Sequence, residues 1–295
     1  MKQAMMIRKV DKMGMHAKKR IEKILYHGLI GGFGLIMIYP VFWMIIGAFK
    51  NNNDILNHSA SFFPTLGWHM ENWGNGWKGY SGVTFGTFFK NSLIVATVST
   101  FGTVVSSSMV AYALARVKFK GRKLLFWCML GTLMLPGQVI MIPQYMIYNF
   151  VGLVGTYVPL ILPHFCGQAF FIYQMMQFCQ GVPRELDEAA FVDGCNKYMI
   201  YFKIILPLLK PSIVTTLIIQ FYWKWDDFMG PLIYLSKPLT WTASVALKNF
   251  ADASGQSDYG ALFAMSTLSL IPVFLIFLIF NRQLVDGVSS TGLKG

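Results

Sequence analysis

The sequence predicts an all-α membrane protein with six transmembrane helices, and three observations lead to this fold class. Of its 295 residues, 55% are hydrophobic and only 13% are charged, whereas soluble domains carry about 25% charged residues. Six apolar runs approach the roughly 20 residues that a helix needs to cross the hydrocarbon core. Nothing shows the alternating segments of roughly 10 residues that build a membrane β-barrel. The six runs are Ile24–Phe49, Phe89–Ala115, Leu124–Met146, Tyr157–Phe178, Pro211–Leu235 and Leu262–Phe280.

The placement of basic residues predicts the orientation of these helices. If the N-terminus lies inside, 19 of the 25 Lys and Arg residues fall in the inner segments 1–23, 116–123, 181–210 and 282–295. This asymmetry is typical of the positive-inside rule, so both termini are expected in the cytoplasm. The net charge of +12 therefore indicates topology, and binding to nucleic acid is not expected because no RNA or DNA motif accompanies it.

The first apolar run is expected to remain in the mature protein. It has 26 residues, whereas the apolar region of a signal peptide has roughly 7–15. The segment that follows, 50–85, is expected outside and contains Trp68, Trp73 and Trp77. These rings favour anchoring at the membrane interface, and contact with an outer partner or a sugar is the alternative.

The next spans differ in the packing that they predict. Gly, Ala and Ser pervade the second run, Phe89–Ala115, and allow helix backbones to approach closely in lipid, so this helix is expected at the centre of the bundle. Pro136, Pro143, Pro159 and Pro163 interrupt the third and fourth runs. Kinks at these prolines are consistent with a transport path but are also common in purely structural helices.

No catalytic or metal-binding pattern is present in the sequence. The phosphate-binding pattern G-x-x-x-x-G-K-[S/T] does not occur, so the chain is not expected to bind or hydrolyse ATP by itself. The four cysteines form no C-x-x-C pair, and the histidines have no metal-ligand spacing. His164 lies inside the fourth run, where a role in a transport path and a packing role are both open.

A polar segment, 181–210, interrupts the apolar sequence between the fourth and fifth runs. Pro183 suits the first position of a helix, and Glu185, Asp187 and Glu188 complement the positive end of its dipole. We expect Gly194 to end this helix in the left-handed conformation, Asn196 to cap a second helix that reaches Leu206, and Pro207 to end that second helix.

The first of these helices is expected to dock another protein. Leu186, Ala189, Ala190 and Asp193 share one face by their spacing. A hairpin lying on the inner leaflet is the alternative, but such a helix carries Lys and Arg on its polar face. The acidic composition instead favours a basic protein partner.

The same segment resembles the EAA motif of ABC-transporter permeases. In "EAAFVDGCNKYMIYFKIILP" the matching pattern is E-A-A-x-x-D-G, nine residues, and I-x-L-P, with Cys195 in the place of the usual alanine. The resemblance identifies the segment as a coupling helix for an ATPase subunit. The residues carried over to this role are Glu188, Ala189, Ala190, Asp193, Gly194, Ile204, Leu206 and Pro207.

Other stretches extend the resemblance along most of the chain. "YPVFWMIIGAFKNNNDI", "LPGQVIMIPQYMIYNFVGLVGTYVPLILP" and the ending "GVSSTGLKG" are similar to signatures of the carbohydrate importers of the maltose-transporter type. The resemblance implies a type I ABC transporter transmembrane fold. Its expected parts are a cytoplasmic N-terminus 1–23, a first helix 24–49, an outer segment 50–85, a five-helix domain 86–281 that contains the coupling loop 181–210, and a cytoplasmic tail 282–295.

The resemblance also implies partners and a mechanism. The partners would be a second homologous permease subunit, two ATPase subunits that use ATP and Mg, an extracytoplasmic solute-binding protein, a carbohydrate and the lipids of the bacterial plasma membrane. This chain would bind no cofactor. Closure of the ATPase dimer would open the path outward, and the outer segment Ser236–Gly260 would contact the binding protein, with Ala253 and Ser257 as positions for cysteine crosslinks.

Charges inside the fifth run suggest a second site. Lys224, Asp226 and Asp227 lie at membrane depth, where ionisable groups are costly and face water or the bundle interior. Family members carry a similar W-N-D-F stretch, and Asp226 stands in place of the Asn. A sugar path and a structural charge cluster are both open here. The path residues would be Trp225, Asp226, Asp227 and Phe228.

Two other functions remain as alternatives. An ion-coupled secondary transporter or a channel subunit would need no ATPase and would place carboxylates near the midplane. A membrane-embedded enzyme would need a polar catalytic constellation, which the sequence lacks.

Overall fold

The computed structural model describes the backbone of residues 2–251 and 257–292 and the side chains of residues 19–20, 22–251 and 257–280. Within these residues the regular structure is helical, and no β-strand longer than a single bridge is present. The helices are α1 (Lys2–Gly47), α2 (Asn52–Asn57), α3 (Glu71–Lys78), α4 (Phe85–Arg116), α5 (Arg122–Leu133), α6 (Gly137–Phe150), α7 (Val158–Ile161), α8 (Ala169–Gly181), α9 (Glu185–Val192), α10 (Lys197–Ile200), α11 (Leu206–Leu208), α12 (Lys210–Trp225), α13 (Met229–Tyr234), α14 (Ala243–Phe250) and α15 (Tyr259–Gly292).

Helix α4 lies at the centre of the bundle, as its small residues predict. In the most apolar stretch of α4, 44% of the residues are buried, whereas the corresponding stretches of α1 and α15 have 0% and 11% of their residues buried. It packs mainly against α8 and α12. Gly102 permits one close approach, because a Cβ there would come within 2.5 Å of the Phe165 ring.

The third expected span is two helices and not one. Helices α5 and α6 meet at an angle of 103°. Pro136 causes the break, because it has no amide hydrogen for a helical bond and the residue before a proline is disfavoured in the helical conformation. Pro143, in contrast, lies inside α6 and does not end it.

The fourth expected span, Tyr157–Phe178, is divided into shorter pieces. Helix α7 is followed by a 3₁₀ turn at Leu162–Phe165 and then by α8. Pro159 and Pro163 each begin one of these pieces, and Gly167 has a φ of +82° just before α8. The continuous helix that hydrophobicity predicts is therefore not formed, because proline and a left-handed glycine act locally.

Three helices are long and apolar enough to cross a membrane, or up to five if each bent pair of helices is one span. This count covers the residues described in the ranges above. The three are Glu22–Gly47, Phe85–Arg116 and Tyr259–Phe280. The second bent pair joins Lys197–Leu208 to Lys210–Trp225 at 73°. Helix length and composition alone therefore do not confirm the six membrane spans that the sequence predicts.

The boundaries of the outermost helices also differ from expectation. Helix α1 continues upstream of Ile24 as far as Lys2, and α15 continues past Phe280 to Gly292. The expected inner segments 1–23 and 282–295 are therefore largely helical in backbone. Residues 252–256 of the expected outer segment, including Ala253, and the last three residues of the tail lie outside the described residues.

The segment 50–85 folds back onto the ends of α1 and α15. The Asn72 amide donates to the carbonyls of Ala48 (3.0 Å) and Lys50 (2.8 Å). The buried Asp54 carboxylate accepts hydrogen bonds from the backbone N–H groups of Thr65 (2.7 Å) and Leu66 (3.3 Å) and from the Thr65 hydroxyl. Burial raises the pKa of Asp54, but these hydrogen bonds and the nearby Lys50 charge outweigh it and hold the pKa below its usual value.

The three tryptophans of this segment have different environments. Trp68 and Trp77 are exposed, whereas Trp73 is half-buried and its ring lies 5.8 Å from that of Phe49. Interfacial anchoring therefore suits Trp77, whereas Trp68, whose ring lies 5.7 Å from that of Phe49, and Trp73 both pack against Phe49, just beyond the end of α1.

Candidate functional site

The segment 181–210 has the local structure that its sequence predicts up to its second helix. Helix α9 carries all three expected acidic residues in its first turn. Gly194 follows it with a φ of +82°, and the Asn196 side chain accepts a hydrogen bond from the backbone N–H of Met199 at 2.9 Å. The left-handed stop and the N-cap are therefore confirmed. Pro183 precedes the helix by two residues and does not occupy its first position.

The end of the second helix is placed differently. After α10 the chain continues through a π-helical turn at Tyr201–Ile205 into α11, and Pro207 lies inside α11. The expectation that Pro207 ends this helix is wrong. Pro207 has no amide hydrogen to donate to the preceding turn, yet the helical backbone continues through it to Leu208, and the chain changes direction only at Leu209.

The residues with an expected docking role divide into an exposed and a buried set. Glu188, Ala189, Asp193 and Gly194 are exposed. Ala190 is buried in the chain's own hydrophobic core. The prediction that both alanines form one exposed surface is therefore wrong for Ala190, which instead attaches α9 to the bundle.

The later residues of the pattern lie closer to the bundle. Ile204 and Leu206 are half-buried and pack against the same core, and Pro207 is exposed. The residues of the EAA-like pattern therefore serve two purposes. The buried ones attach the segment to the bundle, and the exposed ones are accessible to another protein. Sequence spacing alone does not separate these two sets, because burial depends on which helix lies behind each residue.

The three most exposed large apolar residues of this segment were not singled out in the sequence. Phe191, Val192 and Tyr198 have exposed fractions of 69%, 86% and 74%. We name these three residues, together with Glu188 and Ala189, the α9 surface. The sequence did contain a signal for the first two: the apolar pair Phe191-Val192 ends a helix that begins with acidic residues, on the expected inner side. A surface of this composition is typical of a protein contact because aromatic and aliphatic side chains there are not covered by the chain itself.

The left-handed stop at Gly194 gives a testable prediction. An added Cβ would meet no atom within 4 Å, so any effect of a substitution comes from the backbone and not from a clash. The left-handed conformation costs an L-residue about 1–2 kcal/mol, β-branched residues are least compatible with it, and Asn tolerates it. We expect Gly194→Val to increase proteolytic cleavage within residues 185–200 of the detergent-purified protein. Gly194→Asn, the matched control, should give the wild-type cleavage pattern, and equal patterns for all three proteins would contradict the role of the turn.

The charge cluster of the fifth expected span lies at the break between α12 and α13. The Lys224 amino group and the Asp227 carboxylate are 2.9 Å apart, and Asp227 also accepts a hydrogen bond from the Gly230 N–H at 3.0 Å. Lys224 and Asp227 therefore neutralise each other, whereas Asp226 has no ion pair among the described residues. Asp227 thus has a structural partner at each oxygen, one of them the backbone N–H of Gly230 in α13.

Trp225 is a packing residue and does not line an open path within this chain. Its side chain is buried, and its indole N–H donates to the Ser269 carbonyl at 2.9 Å. Its ring stacks on Phe221 at 5.8 Å and meets Phe89 edge-on at 5.1 Å. These contacts join α12 to α15 and α4 and favour the structural alternative for Trp225, whose place on a sugar path stays a prediction.

Two neighbours of Trp225 remain available for contact with a ligand. Asp226 is exposed, and Phe228 is half-buried. The Lys248 amino group lies 5.8 Å from the centre of the Phe228 ring, a distance typical of a cation–π contact. Of the four candidate residues, Trp225 is buried, Asp227 is half-buried and ion-paired, Phe228 is half-buried, and Asp226 is exposed.

His164 is satisfied by its own chain. It is buried, and its Nδ1 lies within hydrogen-bond distance of the side-chain amide groups of Gln168 (2.8 Å) and Gln220 (3.0 Å). These bonds join the start of α8 to the middle of α12, so the packing alternative for this histidine is supported.

Comparisons with known proteins agree with the helical architecture. Residues 103–290 match the family described as "Binding-protein-dependent transport system inner membrane component". The chain is 37% identical over 262 residues to the "Probable ABC transporter permease protein YurM" of Bacillus subtilis (strain 168), with 88% of this chain and 85% of that protein covered.

Two further relatives match over almost their whole length. The "Multiple sugar-binding transport system permease protein MsmG" of Streptococcus mutans is 32% identical, with 94% of this chain and 100% of that protein covered. The "Arabinooligosaccharides transport system permease protein AraQ" of Halalkalibacterium halodurans is 31% identical with the same two coverages.

A solved structure shares the fold. It is described as a "Crystal structure of a bacterial ABC transporter involved in the import of the acidic polysaccharide alginate". The TM-score is 0.77 at 20% sequence identity, with 90% of this chain and 97% of that chain covered.

Proposed function

Because the chain belongs to the family of binding-protein-dependent transport system inner membrane components, we propose that it is one of two permease subunits of an ATP-driven sugar importer. Together the two subunits form the path for a sugar or oligosaccharide that an extracytoplasmic binding protein delivers. Relatives whose names specify sugar substrates support the choice of carbohydrate. In this proposal the chain contributes six membrane spans, with both termini in the cytoplasm of a bacterium.

The observation that carries the proposal is the α9 surface. The Glu188 carboxylate and the uncovered apolar side chains of this surface lie in a segment whose basic-residue distribution favours the cytoplasmic side. An apolar centre with charged residues around it is the composition of a specific protein contact. The partner in this proposal is an ATPase subunit with a basic groove, and one such subunit docks on each permease.

The chemical work of ATP hydrolysis is assigned to those partner subunits. The sequence holds no phosphate-binding loop, so ATP and Mg bind the ATPase subunits, and this chain supplies no catalytic group and holds no cofactor. Its role is mechanical. Closure of the ATPase dimer draws the two α9 helices together and opens the membrane path toward the binding protein.

The accessible residues near the outer end of α12 are assigned to the sugar path. Asp226 can accept hydrogen bonds from sugar hydroxyls, and Phe228 offers an aromatic face, two contacts that a carbohydrate site uses. The outer segment Ser236–Gly260, which contains α14, is assigned to contact with the binding protein. In the residues described there, α14 packs against α4 and α15, so contact at this helix would reach the bundle directly.

An ion-coupled carrier is less well supported by the charges of the fifth span. Such a carrier needs a carboxylate that gains and loses a cation or proton during transport. Asp227 is instead engaged by the Lys224 ammonium group and by a backbone N–H.

The test is uptake of labelled sugars by cells that lack either this gene or the gene of the proposed ATPase. The panel includes arabino-oligosaccharides, diacetylchitobiose and lactose, the substrates in the names of relatives. We expect at least one sugar to lose uptake in both deletion strains and to regain it on complementation. Uptake that persists without the ATPase and stops when an uncoupler collapses the proton gradient would favour the carrier alternative and reject the proposal.

A further inference from the structure

Three polar side chains on one face of α4 hold the segment that contains the α9 surface. Ser108, Tyr112 and Arg116 are spaced by four residues, so they lie one above another along the last turns of α4. At about 1.5 Å of rise per residue, the three positions cover about 12 Å of the helix. Each of them bonds a different element of the segment 181–210. We name this set of contacts the α4 ladder.

The first contact joins α4 to the π-helical turn. The Ser108 and Tyr201 hydroxyls are 2.8 Å apart, and both side chains are buried. The second contact is one helical turn further along α4, where the Tyr112 hydroxyl donates to the carbonyl of Lys197 in α10 at 3.0 Å. The two tyrosine rings also lie 5.3 Å apart.

The third contact joins three helices through one guanidinium group. Arg116 donates to the Asp187 carboxylate in the first turn of α9 at 3.2 Å. Its other terminal nitrogen donates to the carbonyls of Cys179 and Val182, at the end of α8. The Cys179 carbonyl also accepts from the Val182 N–H at 3.3 Å, so the guanidinium group adds a second donor at the C-terminal end of α8, where helix carbonyls lack partners in the next turn. The Arg116 side chain has an exposed fraction of only 4%.

Arginine suits this position because its planar, forked group donates in fixed directions to several acceptors at once. A lysine offers a single ammonium centre and cannot reach the carboxylate and both carbonyls in the same geometry. The site therefore requires the shape of the guanidinium group as well as its charge.

These contacts differ in kind from the apolar packing around them. Ala190, Ile200 and Ile205 fill the core beneath the segment, and apolar contacts of this type are non-directional. Hydrogen bonds depend strongly on distance and angle, so they fix the register of two elements that apolar packing alone leaves free to slide. Helix α9, helix α10 and the π-helical turn each have one such bond to α4.

We propose that the α4 ladder makes the segment 185–205 and the inner half of α4 move as one body, so that displacement of the α9 surface is delivered to the centre of the bundle. The inference rests on the proposed function, because it takes the displacement to come from a docked ATPase. Helix α4 is suited to receive it, since it packs against both α8 and α12 and is the most buried of the three long apolar helices. Ser108, Tyr112 and Arg116 are then positioning residues for coupling.

The test uses the full transporter and measures one distance in two states. Spin labels are placed at two exposed positions, Met109 on α4 and Arg184 before α9, in a chain whose four cysteines are replaced by alanine. The interspin distance is recorded by electron paramagnetic resonance without nucleotide and after trapping with ATP and vanadate. We expect the wild-type distance to be the same in both states. In Arg116→Gln and Tyr112→Phe it should shift and broaden on trapping.

Two controls distinguish the ladder from general damage to the fold. Arg122→Gln removes an arginine that bonds the Ala115 carbonyl and not the segment 181–210, so its distance should remain constant. Ser108→Ala and Tyr201→Phe remove the same hydrogen bond, so the double variant should shift no more than either single variant. If the shift in the double variant equals the sum of the two single shifts, the two substitutions act independently, as they would through a general loss of packing. That result would count against the ladder.

Failure of the inference and failure of the proposed function give different results. If ATPase subunits co-purify with the variants and the interspin distance stays constant in all of them, the ladder does not transmit movement and the inference is overturned. The inference is also overturned if the interspin distance of the wild type shifts on trapping as much as that of the variants. If no ATPase co-purifies with the wild-type chain, the proposed function is rejected, and the inference falls with it.

Discussion

Glu188→Lys is expected to reduce sugar uptake by about tenfold or more while leaving the membrane level of the subunit unchanged. Glu188 is exposed in the first turn of α9 and has no ion-pair or side-chain hydrogen-bond partner among the described residues. Its replacement therefore costs the fold little. Against a basic groove, a lysine places like charges together, which costs several kcal/mol, and about 1.4 kcal/mol already corresponds to a factor of ten. The measurements are uptake and recovery of the ATPase on a tagged permease.

The matched control for this variant is Glu22→Lys. It makes the same reversal of charge at an exposed position on the expected inner side, outside the segment 181–210. Uptake in this control should equal that of the wild type. If Glu188→Lys also retains wild-type uptake and normal recovery of the ATPase, α9 does not carry the docking contact.

Trp225→Ala is expected to lower the amount of subunit in the membrane, and not only its transport rate. The substitution removes the stacking with Phe221, the edge contact with Phe89 and the hydrogen bond to Ser269. Loss of a buried aromatic side chain costs about 3–5 kcal/mol, which is a large part of the stability of a typical domain. Subunit level in isolated membranes, measured by immunoblot, and thermal unfolding in detergent test this expectation.

Two further variants separate packing from transport in the same region. Trp127→Ala removes an indole from an exposed position on α5 and should keep the wild-type level. Asp226→Asn changes an exposed carboxylate and should lower uptake at unchanged level if this residue contacts the sugar. A normal level of Trp225→Ala with abolished uptake would return Trp225 to the sugar path and contradict the packing assignment.

The local features of the coupling segment were predictable from sequence because they depend on neighbours in the chain. A glycine after an acidic helix and an Asn before the next helix gave the left-handed stop and the N-cap, and both occur where expected. The central position of α4 was predictable for a similar reason. Its small side chains permit close approach whichever helices surround it, and in lipid that property decides which helix lies inside.

The continuity of the spans was less predictable. Hydropathy counts apolar residues but does not weigh one proline against another. Pro136 breaks a helix, whereas Pro143 lies inside the next one. Pro136 stands immediately before α6, where its ring and its effect on the preceding residue separate α5 from α6, whereas Pro143 removes one backbone hydrogen bond inside α6 without ending that helix.

The sequence by itself determined that this protein is a helical membrane component, that an acidic, glycine-punctuated segment separates two apolar regions, and that no ATP-binding loop is present. These properties follow from composition and short-range spacing. Only the tertiary structure decided that Ala190 and Trp225 are buried, that Phe191, Val192 and Tyr198 are exposed, and that Arg116 joins the ends of α8 and α9. The partners of Arg116 lie 63 to 71 residues away in the chain. Contacts at that separation depend on how the helices pack in three dimensions, and no local pattern in the chain encodes them.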